Sequence, residues 1–509
     1  MSINEITVQE PPTLNPRRWA GLAVLSVSLL LVVMDMTILN VALPEIATKL
    51  RPDSVQLLWI VDAYALVVAG LLVTASAMGD RLGRKRVLLS GFVLFGIASL
   101  AVLLVRDPAQ LIAARVLLGV GGAMIMPSTL SLIRALFTDP KERATALGVW
   151  SAMAAVGVAL GPIVGGLLLE YFSWQAAFLV NVPVMVIGVA AGIWLLPESR
   201  NPLPGRWDAL GTVLSIIGMT ALIFGIKRLG KYGVTEPVAL ACLAVAVAAL
   251  VWFVRRSLHS PNPLLELRLF KKPVFSAGVI AALVSSVAMA AILLLIAQWM
   301  QLVEGYSALE SGLRLLPTAI GAAVLSPLAP KIAEVVGPRT VLAGGLAVTS
   351  LGFLTVYFAP ATYPWIAVAL ALIGAGAASL AIASAVIMSS ATPAQSGSAA
   401  AIEETSYELG AALGVAVLGS IAAALYRDQV SVEGLTGPAA QAVQESLAGA
   451  LEVAAGVGSA GAALAAQAQA AFTSSLEATG LAGGILTLVA AVAVWALTPR
   501  DLDLAEIHH

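Results

Sequence analysis

Fourteen apolar runs, each closed by charge or by turn residues, divide most of the chain's 509 positions. They lie at about 19–43, 56–78, 87–105, 109–136, 144–170, 175–196, 208–227, 236–255, 274–300, 309–330, 340–359, 364–388, 399–424 and 479–497. A helix rises ~1.5 Å per residue and needs about 20 apolar residues to cross roughly 30 Å of hydrocarbon, so each run predicts a membrane span. Two connections differ from the short loops elsewhere. Residues 256–273, "RSLHSPNPLLELRLFKKP", carry prolines and a short amphipathic stretch, which predicts a seam between halves. Residues 425–478 form the one long loop on the opposite side; its alanine-rich part, 438–476, predicts a helical hairpin that either covers the external mouth or serves as a passive insertion.

Composition agrees with the pattern. The chain is 59% hydrophobic and 11% charged, against roughly 25% charged in soluble domains, with a mean hydropathy of +0.95. This predicts an all-α integral membrane protein. The net charge of −1 gives no signature for nucleic acid. Cys242 is the single cysteine and His259, His508 and His509 the only histidines, the last two read as a tag remnant, so no metal or heme site is expected. Residues 1–16 are polar, with Glu5 and Glu10, and lack the build of a signal peptide, so the first run is expected to be retained. An even number of spans puts both termini on one side. Nineteen of the 28 Lys and Arg fall on that side, including Arg17, Arg18, Arg255 and Arg256; seven fall opposite, three of them in "KRLGKY" (227–232), and Arg115 and Arg314 lie inside spans. By the positive-inside rule both termini are cytoplasmic, in a cell membrane.

Ionisable residues inside these runs carry the candidate chemistry, because a charge at mid-bilayer costs roughly 2.5–3.5 kcal/mol on insertion scales. Asp35 in "MDMTILNVALP" (34–44), Asp62 in the second run and Arg115 in the fourth all fall roughly 9–13 Å below the external surface when depth is counted by helical rise. An Arg at that depth holds a neighbouring Asp ionised, and separating them favours the protonated acid. Proton coupling needs that behaviour; a structural ion pair that fixes packing is the plainer alternative. The thirteenth run, "AAAIEETSYELGAALG", adds Glu403, Glu404 and Glu408, with Glu404 and Glu408 four apart on one face and Glu403 beside Tyr407. Such a face attracts cations or holds protons, although Glu403 also reads as an ordinary interfacial residue. In "GVALGPIVGG" (157–166), Gly157, Gly161 and Gly165 recur every fourth position beside Pro162 and Gly166, a stripe for close helix contact with a permitted bend.

These stretches resemble a known family. "GDRLGRKR" (79–86) resembles the loop signature between spans 2 and 3 of the major facilitator superfamily, and "RVLLGVGGA" (115–123) its span-4 arginine motif. "GVALGPIVGG" is similar to the span-5 motif of its antiporters, and "MDMTILNVALP" to the first span of its fourteen-span branch. Taken in order over residues 17–500, they identify a drug:proton antiporter of the quaternary-ammonium-compound efflux type. The resemblance implies a polar tail at 1–18, a six-helix bundle at 19–196, two inserted spans at 197–255, a linker at 256–273, a second six-helix bundle at 274–497 and a tail at 498–509. It implies alternating access by rocking of the two bundles around a central site. Asp35 and Arg115 then couple protons, and Asp62, Glu403, Glu404 and Glu408 recognise a lipophilic cation. Tyr64, Trp150, Trp299 and Tyr407 are candidate aromatic walls. Gly79, Asp80, Arg81, Gly83, Arg84, Lys85 and Arg86 form a conformational latch. A faint second copy, "APKIAEVVGPRTVL" (329–342), lacks the Gly-Asp pair, and the tenth span carries Arg314 but no central carboxylate.

The expected partners are small lipophilic cations, protons and membrane lipid, with no cofactor, no enzymatic activity and a monomeric chain. Export of another solute, such as a lipid, an amino acid or a siderophore, fits the same pattern, and a passive channel or sensor is a further alternative. Nucleotide chemistry has no support: "GVGGAMIMPS" is glycine-rich but lacks a GK[ST] ending.

Overall fold

The computed structural model describes residues 16–52, 54–201, 207–233, 235–260, 263–432, 435–456, 461–500 and 502. Fourteen crossings follow the apolar runs. We number them α1 Arg18–Leu50, α2 Ser54–Leu82, α3 Arg84–Leu104, α4 Pro108–Leu136, α5 Pro140–Tyr171, α6 Ala176–Leu195, α7 Ala209–Tyr232 and α8 Pro237–His259. The second set is α9 Pro273–Leu302, α10 Leu309–Leu325 with Ala329–Val336, α11 Pro338–Phe358, α12 Tyr363–Ser390, α13 Pro393–Gln429 and α14 Gly461–Leu497. The chain is a multi-span membrane protein, and the start of α1 and the end of α14 share one face, here the terminal face.

Local sequence explains where the helices start. Asp107-Pro108, Asp139-Pro140 and Glu236-Pro237 place an acid at the N-cap and proline at the first helical position. The three side chains accept the backbone N–H groups of Gln110, Glu142 and Ala239. Arg228 of α7 donates to Glu236 across the hairpin at 2.7 Å and holds that carboxyl below the usual carboxylate range. Gly83 separates α2 from α3 at φ +108°, a conformation L side chains rarely adopt, and a Cβ there would lie 2.5 Å from an oxygen of Glu198.

Helices α1–α6 pack as one bundle and α9–α14 as another with the same neighbours: α1 lies on α5 and α6 as α9 lies on α13 and α14, and α2 lies on α4 as α10 lies on α12. The α7–α8 hairpin packs on α2 and touches α13. The two bundles meet at both faces. On the terminal face Ser76 donates to the carbonyl of Gly397, and Arg134 of α4 donates to the carbonyls of Met388 and Ala391, capping α12. On the opposite face Leu309 lies against Gly166 and Gly312 against Pro162, while deeper in the seam Leu66 and Ala69 of α2 cluster with Ala412 of α13. Between α5, α9 and α10 lies a void of about 10 Å³, room for a single water.

Three boundaries differ from the sequence reading. The tenth span is not a straight helix over 309–330: its two pieces are bent by 55° at "SPL", where Pro327 and Pro330 remove backbone donors. The last helix begins at Gly461 rather than near 479, so much of the long loop is its extension. The remainder of that loop holds Gly437–Glu445 and Leu447–Gly456, which pack on α14 through Val443, Leu447 and Ala450, and Tyr426 donates to the carbonyl of Val443 at 3.1 Å. Alanine periodicity predicts helix there but cannot say which helix continues into the membrane.

Candidate functional site

Within the first bundle, α1 and α4 bring Asp35 and Arg115 together. An Arg115 guanidinium N–H donates to Asp35 Oδ2 at 2.9 Å, and both side chains are buried. The second carboxylate oxygen accepts from Nδ2 of Asn181 on α6 at 2.7 Å, and that nitrogen also approaches Ser99 of α3 at 3.3 Å. Arg115 Nε donates to the carbonyl of Ile60 at 3.2 Å, and its guanidinium lies 4.6 Å from the centre of the Tyr64 ring. Five helices therefore supply the surroundings of one acid, with a charge partner, a neutral donor and an aromatic face. Sequence reasoning missed Asn181: in "LVNVP" it reads as a residue before a proline break, and its only signal was its polarity within a span.

On α13 the acids divide between two faces. Glu403 points into its own bundle, where Ser384 of α12 and the Tyr407 hydroxyl (2.9 Å) both donate to one of its oxygens. Ser286 of α9 donates to the Tyr407 carbonyl at 2.6 Å. Glu404 and Glu408 instead share a stripe with Gly397 and Ala412, the residues through which α13 touches α2 at the two ends of the interface. Glu404 is fully buried, and neither of its carboxylate oxygens has a hydrogen-bond partner. Glu408 lies within electrostatic reach of Tyr64 and of Lys227 on α7. Asp62 sits on α2 at 2.6 Å from the Lys227 ammonium. Lys227, read from sequence as a loop residue, is inside α7.

The remaining aromatic candidates sit in bundle cores. Trp150 donates to Thr129 at 3.1 Å within the first bundle, and Trp299 to Thr473 at 3.2 Å within the second. The glycine stripe lies along α1: Gly157 faces Leu30, Gly161 faces Thr37, and Gly165 faces Ile38, with Pro162 and Gly166 turned toward α10.

The loop signature on the terminal face is engaged. Asp80 accepts from Arg84 at 2.7 Å, and its carboxylate abuts Gly397 at the start of Ser396–Leu413, where the positive end of the helix dipole favours an anion. The Gly83 N–H bonds the Gly79 carbonyl, Arg81 lies 5.2 Å from the Trp207 ring, Lys85 donates to the Ile193 carbonyl, and Arg86 approaches Glu198 at 3.6 Å. Arg134 adds a clasp that a count of positive charges could not reveal. Removing it in Arg134→Ala loses charge-assisted hydrogen bonds to two carbonyls and is expected to open the terminal face. In a Cys242→Ser background, alkylation of Ser389→Cys by an impermeant maleimide should then rise roughly tenfold, and an unchanged rate would count against the clasp.

Comparison with known proteins adds context to this geometry. Residues 25–415 match the Major Facilitator Superfamily model. The chain is 40% identical over 484 residues to the multidrug efflux pump LfrA of Mycolicibacterium smegmatis, covering 94% of this chain and 96% of that protein. It is 37% identical over 406 residues to the methyl viologen resistance protein SmvA of Salmonella typhimurium, covering 79% and 82% respectively. Among solved structures, the human organic anion transporter MFSD10 superposes with a TM-score of 0.59 at 15% identity, over 94% of this chain and all (100%) of that one. A bacterial homologue of the lysosomal transporter Spinster superposes with a TM-score of 0.57 at 20% identity, over 96% and 99%.

Proposed function

Because the chain belongs to the major facilitator superfamily, we propose that it exports lipophilic cationic compounds in exchange for protons, by alternating access of its two bundles across a cell membrane with both termini in the cytoplasm. One observation carries the cation class: Glu404, fully buried at the seam between bundles, has both carboxylate oxygens without a partner. A buried polar group without a partner is costly, and a cation entering the seam relieves that cost. Relatives at 31–40% identity are named as efflux or resistance proteins, which supports the same reading.

Energetics dictate the coupling. A negative interior retains a permanent cation by about 2.3 kcal/mol per charge per 100 mV, so export must be driven. Exchange of one proton for one monovalent cation moves no net charge and is driven by the pH gradient alone. In the proposed cycle, protonation of Asp35 from outside cancels the charge that Arg115 and Asn181 hold in place. The paired charge is lost, α1 and α4 relax, and the cation held by Glu404 and Glu408 is released outward. The protonated carrier then turns inward, and the proton leaves to the cytoplasm. Asp80, Arg84 and Arg134 hold the terminal face shut during the outward step.

The test is ethidium movement into everted vesicles under an imposed pH gradient, with and without an uncoupler. Uptake should require the gradient, and Glu404→Gln should weaken apparent ethidium affinity roughly tenfold, the value of about 1.4 kcal/mol of lost charge interaction. Uptake that survives collapse of the gradient would remove proton coupling. Absence of movement for every cation tried would remove the substrate class.

A further inference from the structure

Lys227 and Arg228, neighbours near the end of α7, behave differently. Arg228 pairs within its own hairpin to Glu236 at 2.7 Å and lies 4.8 Å from the Tyr232 ring. Lys227 leaves the hairpin and crosses to α2, where its ammonium meets Asp62 at 2.6 Å, with Glu408 of α13 within electrostatic reach. Its side chain keeps 29% of its exposure, and that of Asp62 12%, so the pair is not sealed. An ammonium on a flexible four-carbon stem is a compact charge that can be displaced, unlike the forked guanidinium beside it. Nearby, Trp59 stacks on Phe224 with ring centres 5.9 Å apart and planes at 16°, fixing α7 against α2 at this level.

We propose that Lys227 is a tethered counter-ion that occupies the Asp62–Glu408 end of the cation path and thereby sets the charge of the compounds the protein accepts. This rests on the cation-export reading above and deepens it. Asp62, Glu408 and Lys227 leave this end with one acid in excess of its bases, matched to a monocation. Removing the lysine charge leaves two, and removing the Asp62 charge leaves none. Because each added site charge acts once on every unit of ligand charge, the change is larger for a dication than for a monocation. The two substitutions should therefore move selectivity in opposite directions.

Ethidium and propidium share one phenanthridinium ring system and differ by one permanent charge, so they isolate this effect. Their equilibrium binding to the purified full chain in detergent, followed by fluorescence anisotropy, gives a propidium-to-ethidium affinity ratio. Lys227→Gln should raise that ratio roughly tenfold and Asp62→Asn should lower it roughly tenfold, a unit charge interaction of about 1.4 kcal/mol. Lys227→Arg, and the double variant Asp62→Asn/Lys227→Gln, should return the parent ratio. If the parent binds neither dye, the cation-export reading itself falls and this inference with it. If the parent binds both and neither single variant moves the ratio, Lys227 is only a brace between α7 and α2, and the inference alone is overturned. Should Lys227→Gln fail to fold, the sign of the Asp62→Asn shift decides, since a brace gives no charge-dependent change.

Discussion

Asp35→Asn is expected to abolish uphill cation export while leaving downhill movement measurable. Asparagine nearly preserves the shape of the side chain, so Arg115 and Asn181 still surround it, but the group can no longer take up or release a proton. Arg115 would keep the Ile60 carbonyl and the Tyr64 ring yet lose its one anionic partner among the described residues. Removing one member of a buried ion pair costs roughly 3–5 kcal/mol, and the remaining contacts place this case toward the lower end. Thermal unfolding should therefore shift down by several degrees, without loss of the folded protein. Asp35→Glu, which keeps the charge, separates chemistry from stability: it should also lower the melting temperature yet retain gradient dependence. The decisive comparison is ethidium flux in proteoliposomes with and against a pH gradient. Full uphill transport in Asp35→Asn would demote the residue to packing and move proton coupling to the α13 acids.

The second large effect is expected at the α1–α5 contact. A Cβ placed on Gly161 would lie 1.9 Å from Thr37 Oγ1 and 2.8 Å from its Cβ. Gly161→Leu adds three further carbons at this point, and because Cβ positions at Gly157 and Gly165 would also lie 2.7 and 2.9 Å from α1, neither helix can retreat without opening the whole seam. Overpacking of this kind typically costs about 1–3 kcal/mol where neighbours adjust, and here the displaced helix carries Asp35. Export should fall below detection together with a lowered melting temperature. Gly419→Ala is the control: nothing lies within 4 Å of its Cβ position, so helix propensity should leave it neutral or stabilised by up to about 1 kcal/mol. A Gly161→Leu protein with the parent's melting temperature and flux would show that the contact is loose in the membrane.

What could be read from sequence depends on how far each inference had to reach. The spans are local: a run of apolar residues decides them, and each expected run lies in a helix, although the tenth is bent and the last is longer than its run. Depth put Asp35, Asp62 and Arg115 at one level, and the family resemblance singled out Asp35 as the partner of Arg115, whereas Asp62 turns to Lys227. The Asn181 partner of the second Asp35 oxygen was not legible, because it is 146 positions away and an uncharged amide offers no opposite charge by which depth could pair it. Lys227 and Arg134 were hidden for another reason. Counting positive charge by side assigns each to a loop, whereas the fold turns Lys227 onto Asp62 and Arg134 into the end of α12, 165 and 254 positions away. The extension of α14 was missed because alanine-rich sequence forms helix in water as readily as in lipid.

The inserted hairpin also makes the two flanks of the seam unlike. Two six-helix bundles meeting face to face leave two vertical slots open to the bilayer, one between α2 and α13 and the other between α5 and α10. Here α7 fills the first slot: Thr220 sits against Gly70 of α2, and Gly230 sits against Ala416 of α13. Acyl chains, and any amphiphile dissolved among them, are shut out on that flank. The other flank has no such cover among the described residues, and there α5 and the bent α10 meet directly, so the seam is polarised.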